Sequence, residues 1–213
     1  MGSGKSTVAA MLAERGAQVL QADEIGREMM RPGQGMYAAI VERFGTGVVR
    51  ADGELDRAEL ARLAFAEGRV EELNAIVHPA VIARQAEMAE GIAARDPESV
   101  LVVESALIFE TRYGGDGGWR GRFDRLVLVQ APDASKVARF VERASKRGDL
   151  GEEDIAELKR EAQRRLGKQM GDAEKAEFCD YVLTNAGSMA ELAAQVDALW
   201  PVLLNEARTS GRS

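Results

Sequence analysis

The sequence predicts an α/β fold, a parallel sheet of about five strands flanked by helices on both faces. Two observations carry this expectation. Val100-Leu101-Val102-Val103 and Leu126-Val127-Leu128-Val129 are short runs with apolar side chains at both odd and even positions, as strands covered on both faces require. Such runs alternate with segments of helical period, and parallel neighbours need a crossover between them.

The elements follow in order. Residues 5–15 read as a helix, with Val8, Met11 and Leu12 on one face and Gly16 as its stop. Val19-Leu20-Gln21-Ala22 is a short strand running up to Asp23, and a helix follows to about Met30, where Pro32-Gly33 breaks it. Tyr37, Ile40, Val41 and Phe44 give residues 36–44 an apolar stripe. Asp56 is an N-cap for a helix through Phe65, with Glu59 completing a capping box. A further helix is expected to open near Pro79 and run towards Ala94. Residues 114–121 hold five glycines and read as a mobile loop. Helices are expected at 134–147, 152–168 and 189–204, a short strand at Tyr181-Val182-Leu183, and a frayed polar tail from Thr209. The sequence shows no internal repeat, so residues 1–213 read as a single domain.

Composition narrows the function classes. The chain carries a net charge of −7, which speaks against a nucleic-acid binder. No apolar run approaches the roughly 20 residues of a membrane span, and the N-terminus lacks the basic-then-apolar pattern of a secretory leader. The single cysteine, Cys179, excludes an internal disulfide and offers no cluster for zinc. These features suit a cytoplasmic protein.

The chemistry begins at Gly2-Ser3-Gly4-Lys5-Ser6-Thr7, which leads straight into the first helix. Glycines let backbone N–H groups curl around a phosphate, and the helix N-terminus adds its positive end. Lys5 can place its charge on the β- and γ-phosphates of ATP, and the Ser6 hydroxyl can ligate Mg²⁺. This is the later part of the P-loop pattern G-x-x-x-x-G-K-[ST], and its leading glycine would fall two residues before Met1. The expectation is that the strand feeding the loop is missing from this chain, with roughly ten residues preceding an internal Met1. Asp23-Glu24-Ile25-Gly26 resembles the D-x-x-G of GTPases, but it follows the loop too soon and no N-K-x-D comes after it. Asp23 instead has two readings: a carboxylate at a strand's C-terminal end that orients or deprotonates an acceptor hydroxyl, or an N-cap of the next helix.

A series of further motifs resembles the dephospho-coenzyme A kinase family. Asp23-Glu24-Ile25-Gly26-Arg27 is followed by Pro32-Gly33, Arg43-Phe44-Gly45, Asp52-Gly53-Glu54-Leu55-Asp56-Arg57 and His78-Pro79. Then come Glu104-Ser105-Ala106-Leu107-Ile108-Phe109-Glu110 and Asp180-Tyr181-Val182-Leu183-Thr184-Asn185-Ala186-Gly187-Ser188. The match runs in order along nearly the whole chain. Two departures stand in the strand-end motif: Glu104 replaces the family's more usual Asp, and Ala106 its proline.

The resemblance implies a P-loop kinase fold and ATP-dependent phosphorylation of the ribose 3′-hydroxyl of dephospho-coenzyme A. It implies an acceptor-binding helical region near 30–95 and a lid near 140–170. Lys5, Asp23 and Arg143 become the catalytic candidates, and Gly2, Ser3, Gly4, Ser6, Thr7 and Arg147 bind ATP with Lys5. Counting from Ala131-Pro132 makes Arg143 the lid arginine, whereas counting from the turn at 149–153 makes it Arg147. Arg27, Arg57, His78 and Glu110 become acceptor contacts, although Arg27 and Arg57 also suit solvated helix faces and His78 also suits a structural place before Pro79. Ser6 and Glu104 become the Mg²⁺ residues. ATP and dephospho-coenzyme A are the expected partners, with no nucleic acid, no membrane, and a monomer. Two rivals share the motifs: another small-molecule P-loop kinase, and a P-loop protein that binds nucleotide without turnover.

Overall fold

The computed structural model of the chain describes residues 2–106, 108–109, 118–146, 151–167 and 169–210. Glu110, Arg147 and the first half of the glycine-rich segment at 114–121 lie outside the described residues. In chain order the elements are α1 (Lys5–Glu14), β1 (Gln18–Gln21), α2 (Ala22–Met29), α3 (Gly35–Phe44), a 3₁₀ turn (Thr46–Val48), α4 (Arg57–Phe65), α5 (Val70–Ala93) and β2 (Leu101–Glu104). They continue with β3 (Val127–Gln130), α6 (Asp133–Ser145), α7 (Glu152–Gly167), α8 (Asp172–Ala176), β4 (Tyr181–Thr184) and α9 (Met189–Ser210). The chain divides into two compact units, one of Met1–Val19, Glu98–Glu110 and Trp119–Ser213, the other of Leu20–Pro97 and Thr111–Gly118. It passes from the first into the second within β1.

In the first unit, β3 and β4 pair in parallel, from Val127 opposite Tyr181 to Gln130 opposite Thr184. The crossover that a parallel pair requires is supplied by α6, α7 and α8. Asp180 fixes the start of the ladder, its Oδ2 accepting the Leu126 N–H at 2.7 Å. A second pair joins β1 to β2, with the Gln18 N–H donating to the Val100 carbonyl at 2.9 Å. The four strands described thus form two two-stranded sheets. The core is built from Val8 and Leu12 of α1, Val129 and Leu183 of the paired strands, and Leu192, Val196, Leu199 and Leu203 of α9. The α9 set has the 4-3-4 spacing of one helix face, which aims four side chains at the sheet. Each such burial stabilises by about 1.5–3 kcal/mol.

In the second unit, α2, α3 and α4 pack against the long helix α5. Ile40, Val48 and Ala64 are wholly buried there, with Met36, Leu55 and Leu60 nearly so. Two details correct the sequence reading. Asp56 does cap α4, its Oδ1 accepting the Ala58 and Glu59 N–H groups at 3.0 Å. The reciprocal half of the capping box is absent, because the Asp56 N–H donates to the Val48 carbonyl and the Glu59 carboxylate pairs with Arg62. Pro79 does not open a helix: α5 starts nine residues earlier, at Val70, and carries Pro79 inside it. Proline costs a helix interior about 3 kcal/mol, and packing of α5 against three helices offsets that cost here. The helix α8 was not anticipated, and α9 runs on to Ser210 rather than ending at residue 204.

Candidate functional site

The phosphate loop is built from two glycines in the left-handed region. Gly2 has φ 68° and Gly4 φ 100°, the latter serving as N-cap of α1 without a side-chain cap. Neither tolerates a Cβ: one on Gly2 would stand 2.6 Å from the Lys136 carbonyl oxygen, and one on Gly4 would collide with the Asn185 side-chain amide. The first-turn N–H groups of α1 have no intrahelical partner, which is the arrangement an anion fills.

The carbonyls of the loop are held from behind. Asn185, buried after β4, donates its Nδ2 hydrogen to the Ser3 carbonyl at 2.8 Å. Arg139 of α6 donates through Nη1 to the Gly2 and Ser3 carbonyls at 3.2 and 3.5 Å. Its Nη2 donates to the Asn185 backbone carbonyl at 3.3 Å and to Asn185 Oδ1 at 3.1 Å. On sequence alone Arg139 shares a helix face with Arg143 and Arg147, which suits either a solvated cationic face or a lid over the ATP phosphates, while Asn185 is only one letter of the motif at 180–188.

Ser6 and Glu104, singled out together from sequence, are brought together. The Ser6 hydroxyl donates to Glu104 Oε1 at 2.9 Å across 98 residues of chain. Beside the loop lies a cavity of about 1180 Å³, lined among others by Ser3, Lys5, Ser105, Gln130, Lys136 and Gln169. Small-molecule pockets measure roughly 300–1,000 Å³, so the space is large enough for a nucleotide. Lys136 has its ammonium buried between Asp172 Oδ2 at 2.6 Å and Asp133 Oδ1 at 3.0 Å, joining α6 to α8. Burial opposes its charge, the two carboxylates outweigh burial, and its pKa is raised.

The segment near 140–170, expected from sequence to be a lid, takes in the end of α6 and all of α7, and these two helices pack on each other. Arg143 is exposed, and its Nε donates to the Arg139 carbonyl at 3.3 Å, along its own helix. Arg139, one turn earlier, is the arginine of α6 that touches the phosphate loop. On α7, Arg160, Arg164 and Arg165 are tied to Glu157 and Glu161, a solvated face of intrahelical ion pairs.

The remaining candidates belong to the second unit. Asp23 is exposed and is the second residue of α2, just past the strand end rather than on it. It does not cap α2, because Gln21 holds the N-cap position with no side-chain bond. The Asp23 backbone carbonyl accepts Arg27 Nε at 3.1 Å. Arg27 and Arg57 are exposed, Arg57 as the first residue of α4. His78 is half-buried within α5, not ahead of a helix; burial lowers its pKa, and Glu71 partly opposes the shift.

Comparison with known proteins gives a consistent picture. Residues 1–191 match the family model described as dephospho-CoA kinase. A dephospho-CoA kinase of Leifsonia xyli is 38% identical over 199 residues, covering 93% of this chain and 92% of the relative. One of Corynebacterium jeikeium is 38% identical over 201 residues, covering 94% of each. Among solved structures, a Thermus thermophilus protein superposes with a TM-score of 0.68 at 32% identity, covering 95% of this chain and 93% of its own. The dephospho-CoA kinase of Campylobacter jejuni gives 0.65 at 18% identity, covering 95% of this chain and 92% of its own, a likeness of fold alone.

Proposed function

The chain belongs to the dephospho-CoA kinase family, and from that premise we propose how its residues divide the work of phosphorylating dephospho-coenzyme A with ATP. The observation that carries the proposal is the glycine loop at the head of α1, with the Ser6–Glu104 hydrogen bond and the adjoining cavity. The loop from Gly2 to Thr7 binds the ATP phosphates through backbone N–H groups, and Lys5 places its ammonium on the β- and γ-phosphates. Asp23 accepts the proton of the ribose 3′-hydroxyl as its oxygen bonds to the γ-phosphorus and the bond to the β–γ bridging oxygen breaks. Arg143 and Arg147 neutralise charge on the transferring group from the lid. Arg27, Arg57, His78 and Glu110 hold the acceptor.

Ser6 and Glu104 fit a divalent cation of the Mg²⁺ type, being a hydroxyl and a carboxylate already 2.9 Å apart. Among the described residues no cluster of three acidic, histidine or cysteine side chains exists, so phosphates and water would complete the shell. Held by Ser6 and Glu104, the ion would supply positive charge that offsets the charge of the phosphates. The reading takes the enzyme as a monomer. No helix among the described residues is long and apolar enough to cross a membrane. With a single cysteine and a net charge of −7, the reading places the enzyme in the cytoplasm without a nucleic-acid partner.

Asp23→Asn tests the central assignment. Turnover should fall by roughly 10²–10⁴-fold, the usual worth of a general base, while ATP affinity stays intact. Loss of ATP binding in a folded variant would move Asp23 to a metal or nucleotide role.

A further inference from the structure

A loop that offers its N–H groups to a phosphate must turn carbonyls away from it, and those carbonyls need partners of their own. Two of them, on Gly2 and Ser3, converge on one pair of side chains. Arg139 reaches both, Asn185 reaches the Ser3 carbonyl, and Arg139 is locked to Asn185 by two further bonds. The pair comes from opposite ends of the α6-to-β4 crossover, 46 residues apart. Asn185 is buried and Arg139 partly so, and Arg139 is an interior strut rather than a side chain reaching into solvent. The fit also explains the glycines, since Gly4 abuts the Asn185 amide and Gly2 the α6 backbone at Lys136.

We propose that Arg139 and Asn185 are positioning residues that grip the loop by its carbonyls and so aim its N–H groups at the ATP phosphates. The proposal rests on the reading that this loop binds ATP. It assigns Arg139 a task different from that of a lid arginine: it acts through the loop and does not touch the transferring phosphoryl group. A lysine cannot replace it, because one ammonium cannot span two carbonyls and an amide as a planar guanidinium does.

The test uses Arg139→Ala, Arg139→Lys, Asn185→Asp and the double variant Arg139→Ala/Asn185→Asp in the full chain. Asn185→Asp keeps shape and the acceptor for Arg139 while removing the donor to Ser3, so it separates the grip from packing. Each single variant leaves a loop carbonyl without its donor, so it should lower kcat/KM for ATP by roughly 10- to 100-fold. The KM for dephospho-coenzyme A at saturating ATP should move less than about twofold, which a general loss of folding would not produce selectively. The double variant should be no worse than the poorer single one, because both act on one loop. ATP should protect the Gly4 to Ser6 amides from hydrogen exchange in the wild type and less in the variants.

Additive losses, an unchanged kcat/KM for ATP in Asn185→Asp, or a fall in kcat alone for Arg139→Ala would overturn the grip and make Arg139 a direct phosphate ligand. Normal turnover with indifferent variants would overturn the grip and leave the kinase reading standing. ATP binding that depends on the pair, in a wild type that does not phosphorylate dephospho-coenzyme A, would keep the grip and sink the acceptor assignment. A wild type that binds no ATP would overturn both.

Discussion

Replacing Gly4 by alanine perturbs the phosphate loop at its tightest point. Two costs can be worked from the structure. Gly4 sits at φ 100°, and an L-residue held in the left-handed region costs about 1–2 kcal/mol. The new Cβ also meets the Asn185 amide, which must withdraw from its 2.8 Å bond to the Ser3 carbonyl. A buried polar group left without its partner costs about 1–3 kcal/mol more. The sum is roughly 2–5 kcal/mol, a large share of the ~5–15 kcal/mol by which a typical domain is stable. Gly16→Ala is the matched control. Gly16 has φ 108° in the same unit, and its Cβ would stand 3.8 Å from Trp200 Cζ2, an ordinary contact. It should cost only the conformational part, about 1–2 kcal/mol. Urea unfolding followed by tryptophan emission reads both, since Trp119 and Trp200 belong to the unit that carries the two glycines. Equal destabilisation by the two variants would refute the steric part of the reasoning, and with it the close seat of Asn185 on the loop.

Asp56→Ala removes the cap of α4 and should cost about 1 kcal/mol, read as faster amide exchange at Ala58 and Glu59; unchanged exchange there would contradict the cap. His78, the one histidine of the sequence, has its pKa held below the ordinary 6.5 by burial, so the unfolded chain takes up the proton first. Its contribution is therefore intact above pH 6.5 and is progressively lost as pH falls below that value, because unfolding then draws in a proton. The urea midpoint of the wild type should drop across that window more steeply than that of His78→Gln, and parallel profiles would contradict a buried His78. The carboxylates of Glu59 and Glu72, held low mainly by hydrogen bonds from Arg62 and Arg69, lose their share only at more acid pH, below their ordinary 4.5.

What was legible in the sequence depended on how local its cause is. The strands at 101–104 and 127–130 announced themselves because cover on both faces leaves a short, nearly unbroken apolar run, whereas those at 18–21 and 181–184 showed only as brief apolar stretches between helical segments. The glycine loop and the Ser6 hydroxyl were legible because phosphate binding dictates residue types at fixed spacing. Glu104 was found as a strand-end carboxylate, and the fold brings it to Ser6. Pro79 misled because proline is favoured at the first turn of a helix, whereas here packing along α5 carries the helix through it. The capping box formed only by half because the Val48 carbonyl already takes the Asp56 N–H and Arg62 holds the Glu59 carboxylate. The grip of Arg139 and Asn185 on the loop was not legible at all. Its cause is a meeting of segments up to 182 residues apart, and no periodicity or spacing encodes such a meeting.

The most direct test of the account is to mix the chain with ATP, Mg²⁺ and dephospho-coenzyme A and follow the products by phosphorus NMR, with other nucleosides and small alcohols as parallel acceptors. The account predicts ADP together with a new phosphomonoester on the ribose 3′-oxygen of dephospho-coenzyme A, absent with Lys5→Ala and strongly reduced with Asp23→Asn. Efficient phosphorylation of a different acceptor, or ATP binding with no phosphoryl transfer to dephospho-coenzyme A, would contradict it.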